Sequence, residues 1–96
     1  MKIKQDEKYD GDDWWHWSVW LDGDDVTEVE KVVWKLHPTF PEPEREADNR
    51  DRNFRIDASG WGGFVIKADV HMKDGSKKQL RHELELHYPD GTATAS

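Results

Sequence analysis

Apolar and polar residues alternate along most of this chain with a period of two. That spacing sends successive side chains to opposite faces of a β-strand. Trp15, Trp17, Val19 and Leu21 fall on one face of a first strong strand, and Trp14, His16, Ser18 and Trp20 on the other. Val32, Trp34 and Leu36 alternate with Lys31, Val33, Lys35 and His37 in a second. The longest alternation sets Phe64, Ile66, Ala68, Val70 and Met72 against Val65, Lys67, Asp69, His71 and Lys73. Asp74-Gly75 follows as a hairpin signature, and Leu80, His82, Leu84, Leu86 and Tyr88 form the returning strand. Phe54 and Ile56 mark a short strand, and Ile3 to Tyr9 an edge strand.

Asp22-Gly23-Asp24-Asp25 and Ala58-Ser59-Gly60 read as turns. Pro38, Pro41 and Pro43 make the segment from His37 to Pro43 a stiff loop, because proline fixes φ and lacks a donor. Glu42 to Arg52 is highly charged and expected to be solvated. Val26, Val29 and Val33 have helical spacing, but Val32 and Trp34 favour a strand, and no other window carries a helical stripe. The expected fold is all-β, an immunoglobulin-like two-sheet antiparallel β-sandwich. One domain is expected over residues 1–91, with a flexible tail over 92–96. Its expected core is Trp17, Val19, Val32, Trp34, Leu36, Phe54, Phe64, Ile66, Val70, Leu84 and Leu86.

Composition narrows the function. Only 34% of residues are hydrophobic and 36% are charged, so six tryptophans must supply much of the core. The formal net charge of −7 argues against nucleic acid and anionic membranes as partners and tolerates basic peptides. No cysteine is present, which excludes disulfides and thiolate metal sites and fits a cytoplasmic location. No run approaches ~18 apolar residues, and the amino terminus has no signal-like apolar core, so a soluble module is expected, compatible with a larger parent protein. Ser18, Ser59 and Ser76 lack a nucleophile context, and His82 and His87 face opposite sides of their strand. Glu83 and Glu85 share an exposed face, and the acidic turns contain no calcium-binding loop. No enzyme activity, cofactor or metal site is therefore expected.

Two loop motifs stand apart. Leu36-His37-Pro38-Thr39-Phe40-Pro41 ends one strand, and Gly60-Trp61-Gly62-Gly63-Phe64 begins another. Each joins an aromatic ring to small or polar neighbours, in the loops where a sandwich carries its function. The residues alone leave two readings open. Phe40 and Trp61 face each other across a ligand slot, with Gly62 and Gly63 letting backbone N–H groups approach. Alternatively, Phe40 staples its loop to the core and the glycines form a bulge.

These motifs follow Trp17-Ser18-Val19-Trp20-Leu21 and the run from Glu30 to Arg45. In that order and spacing, over roughly residues 14 to 72, they resemble a YEATS domain, and the short loops resemble the prokaryotic branch of that family. The resemblance implies a non-catalytic reader of an acylated lysine peptide or a similar flat small ligand. It implies that Phe40 and Trp61 sandwich the acyl group, that Thr39 bonds its amide, and that His37 orients the Thr39 hydroxyl. It further implies that backbone at Gly60, Trp61, Gly62 and Gly63 receives the carbonyl, with Trp14 standing in for a further family aromatic. An acidic residue that guides the peptide in relatives is replaced near Arg81 or His82. The alternatives are a carbohydrate-binding or protein-interaction sandwich using exposed tryptophans, Trp14 and Trp20.

Overall fold

The computed structural model describes residues 1–93. The described residues form seven strands in two antiparallel sheets, two short 3-10 turns and no α-helix. The strands are β1 (Lys2–Gly11), β2 (Trp14–Asp22), β3 (Val29–Lys35), β4 (Glu44–Ala47), β5 (Ile56–Gly60), β6 (Phe64–Met72) and β7 (Lys77–Leu84). One sheet runs in the order β1-β2-β5 and the other in the order β4-β3-β6-β7, the two-layer sandwich expected from the alternation.

The inward faces are those the sequence marks. Trp15, Val19 and Leu21 from β2 are fully buried, opposite Val32 and Trp34 from β3 and Ile66 and Val70 from β6, and every residue expected in the core is buried. Buried indoles need partners for their N–H groups. Trp34 Nε1 donates to the Phe54 carbonyl at 2.9 Å, and Trp15 Nε1 to the His87 carbonyl at 2.8 Å. Between β1 and β2, Asp12 (φ 54°) and Asp13 (φ 57°) both take the left-handed conformation, which aspartate tolerates and which suits the twist of a two-residue hairpin turn. The chain then crosses between sheets through a 3-10 turn, Asp24–Glu28.

Several local expectations are corrected. Ser18, on the face of β2 turned away from the core, is nonetheless buried, because Asp57 and Arg55 cover its hydroxyl. Ala58, Ser59 and Gly60 lie inside β5, paired with Trp17, His16 and Trp15, not in a turn. Phe54 precedes that strand at φ 60°, after Asn53 at φ 53°, and drops into the core from two successive left-handed residues. The charged stretch from Glu42 to Arg52 contains β4, which pairs with β3 and buries Ala47. β7 stops at Leu84, and Leu86 reaches the core from the following segment. Beyond β7, Thr92 accepts a backbone bond from Tyr88 at 2.8 Å and Ala93 bridges His87; residues 94–96 of the expected tail lie outside the described residues.

Two side chains of β1 close one open side of the sandwich. Gln5 Oε1 accepts from His82 Nε2 at 2.7 Å, and Gln5 Nε2 donates to the Glu85 carbonyl at 2.8 Å. Glu7 accepts from both the backbone N–H and the Nδ1 of His87. Tyr9 and Tyr88 each lie with ring centroids 4.9 Å from Trp15, sealing the end of this seam.

Candidate functional site

The β3–β4 loop and the β5–β6 loop meet at one end of the sandwich, because β3 ends where its antiparallel neighbour β6 begins. Between them opens a cleft of about 570 Å³, within the range typical of small-ligand sites. Its walls include His37, Thr39 and Phe40 on one side and Gly60, Trp61, Gly62 and Gly63 on the other, with Trp14 at the rim. All eight candidate residues named from the sequence therefore line one cavity.

The two aromatic walls differ in character. Phe40 is half-buried, its ring centroid 5.4 Å from Phe64 and 6.1 Å from Trp17. Trp17 and Phe64 are themselves packed edge-to-face at 5.7 Å, so Phe40 stands on a fixed aromatic floor. Trp61 is 69% exposed. No ring contact joins Phe40 to Trp61 among the described residues, and the cleft separates them. Trp14, the first residue of β2, is also exposed and lines the same cleft. Trp20 is half-buried and covered by the Arg55 guanidinium, 5.4 Å from its ring, so Trp14 and Trp20 form no shared flat platform.

Polar groups are set by the loop backbone. Phe40 N–H donates to the His37 carbonyl at 3.0 Å, which closes the loop as a tight turn. Thr39 N–H donates to His37 Nδ1 at 3.3 Å, so that nitrogen acts as an acceptor. The Thr39 hydroxyl donates to the same nitrogen at 2.9 Å. Its lone pairs remain available to accept a ligand N–H. The His37 ring is held in turn against Phe64, 6.2 Å away.

The glycines of the facing loop have separate reasons. A Cβ on Gly63 would lie 2.3 Å from the Leu84 carbonyl oxygen, so only glycine fits there. One on Gly60 would sit 3.4 Å from Phe40 Cζ, ordinary contact distance, and one on Gly62 would meet nothing within 4 Å. Gly62 thus leaves its backbone open to the cleft. Trp17 Nε1 is buried without a hydrogen-bond partner among the described residues, 3.8 Å from the Cβ position of Gly60.

Arg45 and Ser59 also line the cleft and escaped the sequence reading. Arg45 faces inward from β4, opposite Trp34, and its guanidinium donates to the Pro41 and Glu42 carbonyls at 3.3 Å. Its signal was hidden because β4 lies in a stretch too charged to read as a strand. Among the described residues, no group of three His, Asp or Glu side chains converges as a metal-binding set. No helix among them is long and apolar enough to cross a membrane.

Known proteins resemble this chain in both sequence and fold. The AF-9 homolog protein of Eremothecium gossypii is 35% identical over 78 residues, covering 74% of this chain. The chain spans only 36% of that relative's length. The crystal structure of the yeast AF-9 homolog protein Yaf9 superposes with a TM-score of 0.71 at 24% identity, covering 91% of this chain and 65% of that one. The Yaf9 YEATS domain bound to H3K27ac superposes at 0.69 with 20% identity, covering 96% of this chain and 73% of that one. At these identities the structural likeness establishes a common fold. The model of the prokaryotic YEATS domain matches residues 15–85, most of the sandwich and both cleft loops, and the chain belongs to that family.

Proposed function

We propose that this domain is a non-catalytic reader module whose cleft takes the side chain of an acylated lysine in a peptide. The observation that carries this reading is the pairing of His37 with Thr39 on one wall, opposite the open backbone of Gly62 on the other. An acyl-lysine amide has one donor and one acceptor, and both need partners once water is stripped away. The Thr39 hydroxyl accepts the amide N–H, and backbone N–H of the Trp61–Gly62 segment serves the carbonyl. Phe40 and Trp61 then flank the flat acyl group, whose stacking adds about 0.5–1.5 kcal/mol beyond area burial. An unmodified lysine ammonium would lose its hydration beside these groups and meet no carboxylate in the cleft lining.

The related Yaf9 YEATS domain, bound to H3K27ac, supports the choice of ligand class. The acidic balance of the chain suits a basic peptide around the modified residue. A lone shallow cleft with two amide hydrogen bonds predicts a dissociation constant on the order of 10–500 μM. The test titrates acetyl-, butyryl- and crotonyl-lysine peptides while following the six indole N–H resonances. The Trp61 and Trp14 signals should move with every acyl form, most with the flat crotonyl group, and should ignore the unmodified peptide. Equal response to unmodified lysine would refute the reading.

A further inference from the structure

The two open sides of the sandwich are finished differently. On one side, Gln5 and Glu7 of β1 bond across to His82, Glu85 and His87. On the other, β5 and β4 are the outermost strands of their sheets, and no hydrogen bond joins them among the described residues. The connection between them bonds to the Arg55 carbonyl, through Asn49 Nδ2 at 3.0 Å, and to no backbone group of β5. Arg45 of β4 and Ser59 of β5 both line the cleft, but Arg45 donates to the Pro41 and Glu42 carbonyls of its own loop. Beyond its ladder with β2, the backbone of Ile56–Gly60 makes no hydrogen bond among the described residues.

Two further features set this edge apart. Ile56 and Ala58 point inward, directly opposite the buried Val19 and Trp17, yet both are only half-buried. Their flank lacks the cover that Gln5 and Glu7 give the far side. Edge strands are normally guarded by charge. The other three outermost strands follow that rule, since β1 carries six charged side chains, β4 three and β7 four, whereas β5 carries only Asp57. Asp57 is turned outward and is engaged by the Ser18 hydroxyl and by Arg55 at 2.9 Å. This unguarded edge ends in the cleft, because Ser59 and Gly60 belong to the cleft lining.

We propose that an acylated peptide held in the cleft continues along β5 as an added antiparallel strand, with apolar side chains at every second position after the acyl-lysine covering Ile56 and Ala58. This path rests on the cleft holding the acyl-lysine. The direction follows from the strand. β5 runs toward the cleft, so an antiparallel partner runs away from it and offers the residues that follow the acyl-lysine. Antiparallel pairing is the more stable of the two arrangements. The five residues of β5 span roughly 17 Å, which fits four or five flanking residues. Main-chain bonds to the edge supply affinity, and the alternate apolar positions supply specificity. Continuity with the cleft favours the ligand over a second copy of this chain.

The test follows amide and indole resonances of the labelled chain with four ligands. They are crotonyl-lysine capped at both ends, crotonyl-lysine followed by Val-Gln-Val-Gln, crotonyl-lysine followed by Gln-Val-Gln-Val, and the tighter of these two with its flanking backbone nitrogens methylated. All four should move the Trp61 indole. Only the two unmethylated peptides should shift the amides of Ile56–Gly60. One phase should bind about tenfold more tightly than the capped residue and about threefold or more above the other phase. The two phases have the same composition, so general hydrophobicity cannot separate them. Methylation should return the affinity to that of the capped residue. If the capped residue binds but both phases bind alike, or the Ile56–Gly60 amides stay still, the added strand is overturned and the cleft reading stands. If no crotonyl ligand moves Trp61, both fall. Ile56–Gly60 amides that shift with chain concentration in the absence of peptide would give the edge to a second copy and overturn the proposal.

Discussion

Gly63 approaches Leu84 so closely that a Cβ would stand 2.3 Å from the Leu84 carbonyl oxygen, while the adjacent Gly62 has nothing within 4 Å of its own Cβ position. The contact is backbone to backbone, so no side chain can rotate away to relieve it. Gly63→Ala should therefore push the β5–β6 loop off β7 and lower stability by about 1–3 kcal/mol, the usual cost of overpacking. Gly62→Ala should stay within about 0.5 kcal/mol of the parent. Urea unfolding of the two variants measures the difference. Equal losses would mean that the loop is not clamped at Gly63.

The seam between β1 and β7 with the segment that follows it holds two histidines shifted in opposite directions. Burial pushes His82 below the usual imidazole value, and nearby Glu85 and Glu83 offset this only in part. The hydrogen bond to Glu7 raises His87. The contribution of His87 is thus complete below about pH 6.5 and is lost as pH rises through its folded value. His82 acts the other way. The fold binds its neutral form, so stability falls as pH drops from about 6.5 toward the folded value. Denaturant midpoints measured from about pH 5 to 8 should rise more steeply with pH in His87→Gln and less steeply in His82→Gln. Parallel profiles for the two variants would contradict this account of the seam.

Trp34 ties the centre of β3 to the left-handed residue Phe54 through its indole N–H. Trp34→Phe keeps the ring packing roughly intact but strands the buried Phe54 carbonyl. The expected loss is about 1–3 kcal/mol, or roughly 4–8 °C of Tm per kcal/mol in a domain of this size. Thermal unfolding followed by circular dichroism would detect it, and an unchanged Tm would show that the carbonyl finds another partner.

The alternation of Trp15, Trp17, Val19 and Leu21, and of Phe64, Ile66, Ala68 and Val70, made both sheets legible, since one face of each strand must be apolar. What stayed hidden rests on interactions without a period. β4 is charged at every position but Ala47 and is held as a strand by its pairing with β3. Phe54 looked like a strand residue because its hydrophobicity is visible and its positive φ is not. The burial of Ser18 was invisible because the Asp57 and Arg55 groups that cover it come from 39 and 37 residues away in the chain, beyond the window in which local pattern carries information. The eight candidate cleft residues were named from motif resemblance, and the fold gathers them, because two loops at one end of antiparallel neighbours must be adjacent. Arg45 was missed for the same reason as its strand.

The central claim is that the cleft recognises the acyl-lysine amide through Thr39 and the acyl group through Trp61. Calorimetric titration of a crotonyl-lysine peptide into the parent chain, Thr39→Ala and Trp61→Ala tests it most directly. The parent should bind with a dissociation constant on the order of 10–500 μM. Thr39→Ala should weaken acetyl and crotonyl peptides by a similar factor, because it removes the shared amide partner, about 0.5–1.5 kcal/mol for one hydrogen bond. Trp61→Ala should erase the advantage of crotonyl over acetyl, because only the stacking wall is lost. Heat of binding for the parent that is unchanged by both substitutions, or absent for every acyl form at millimolar peptide, would contradict the claim.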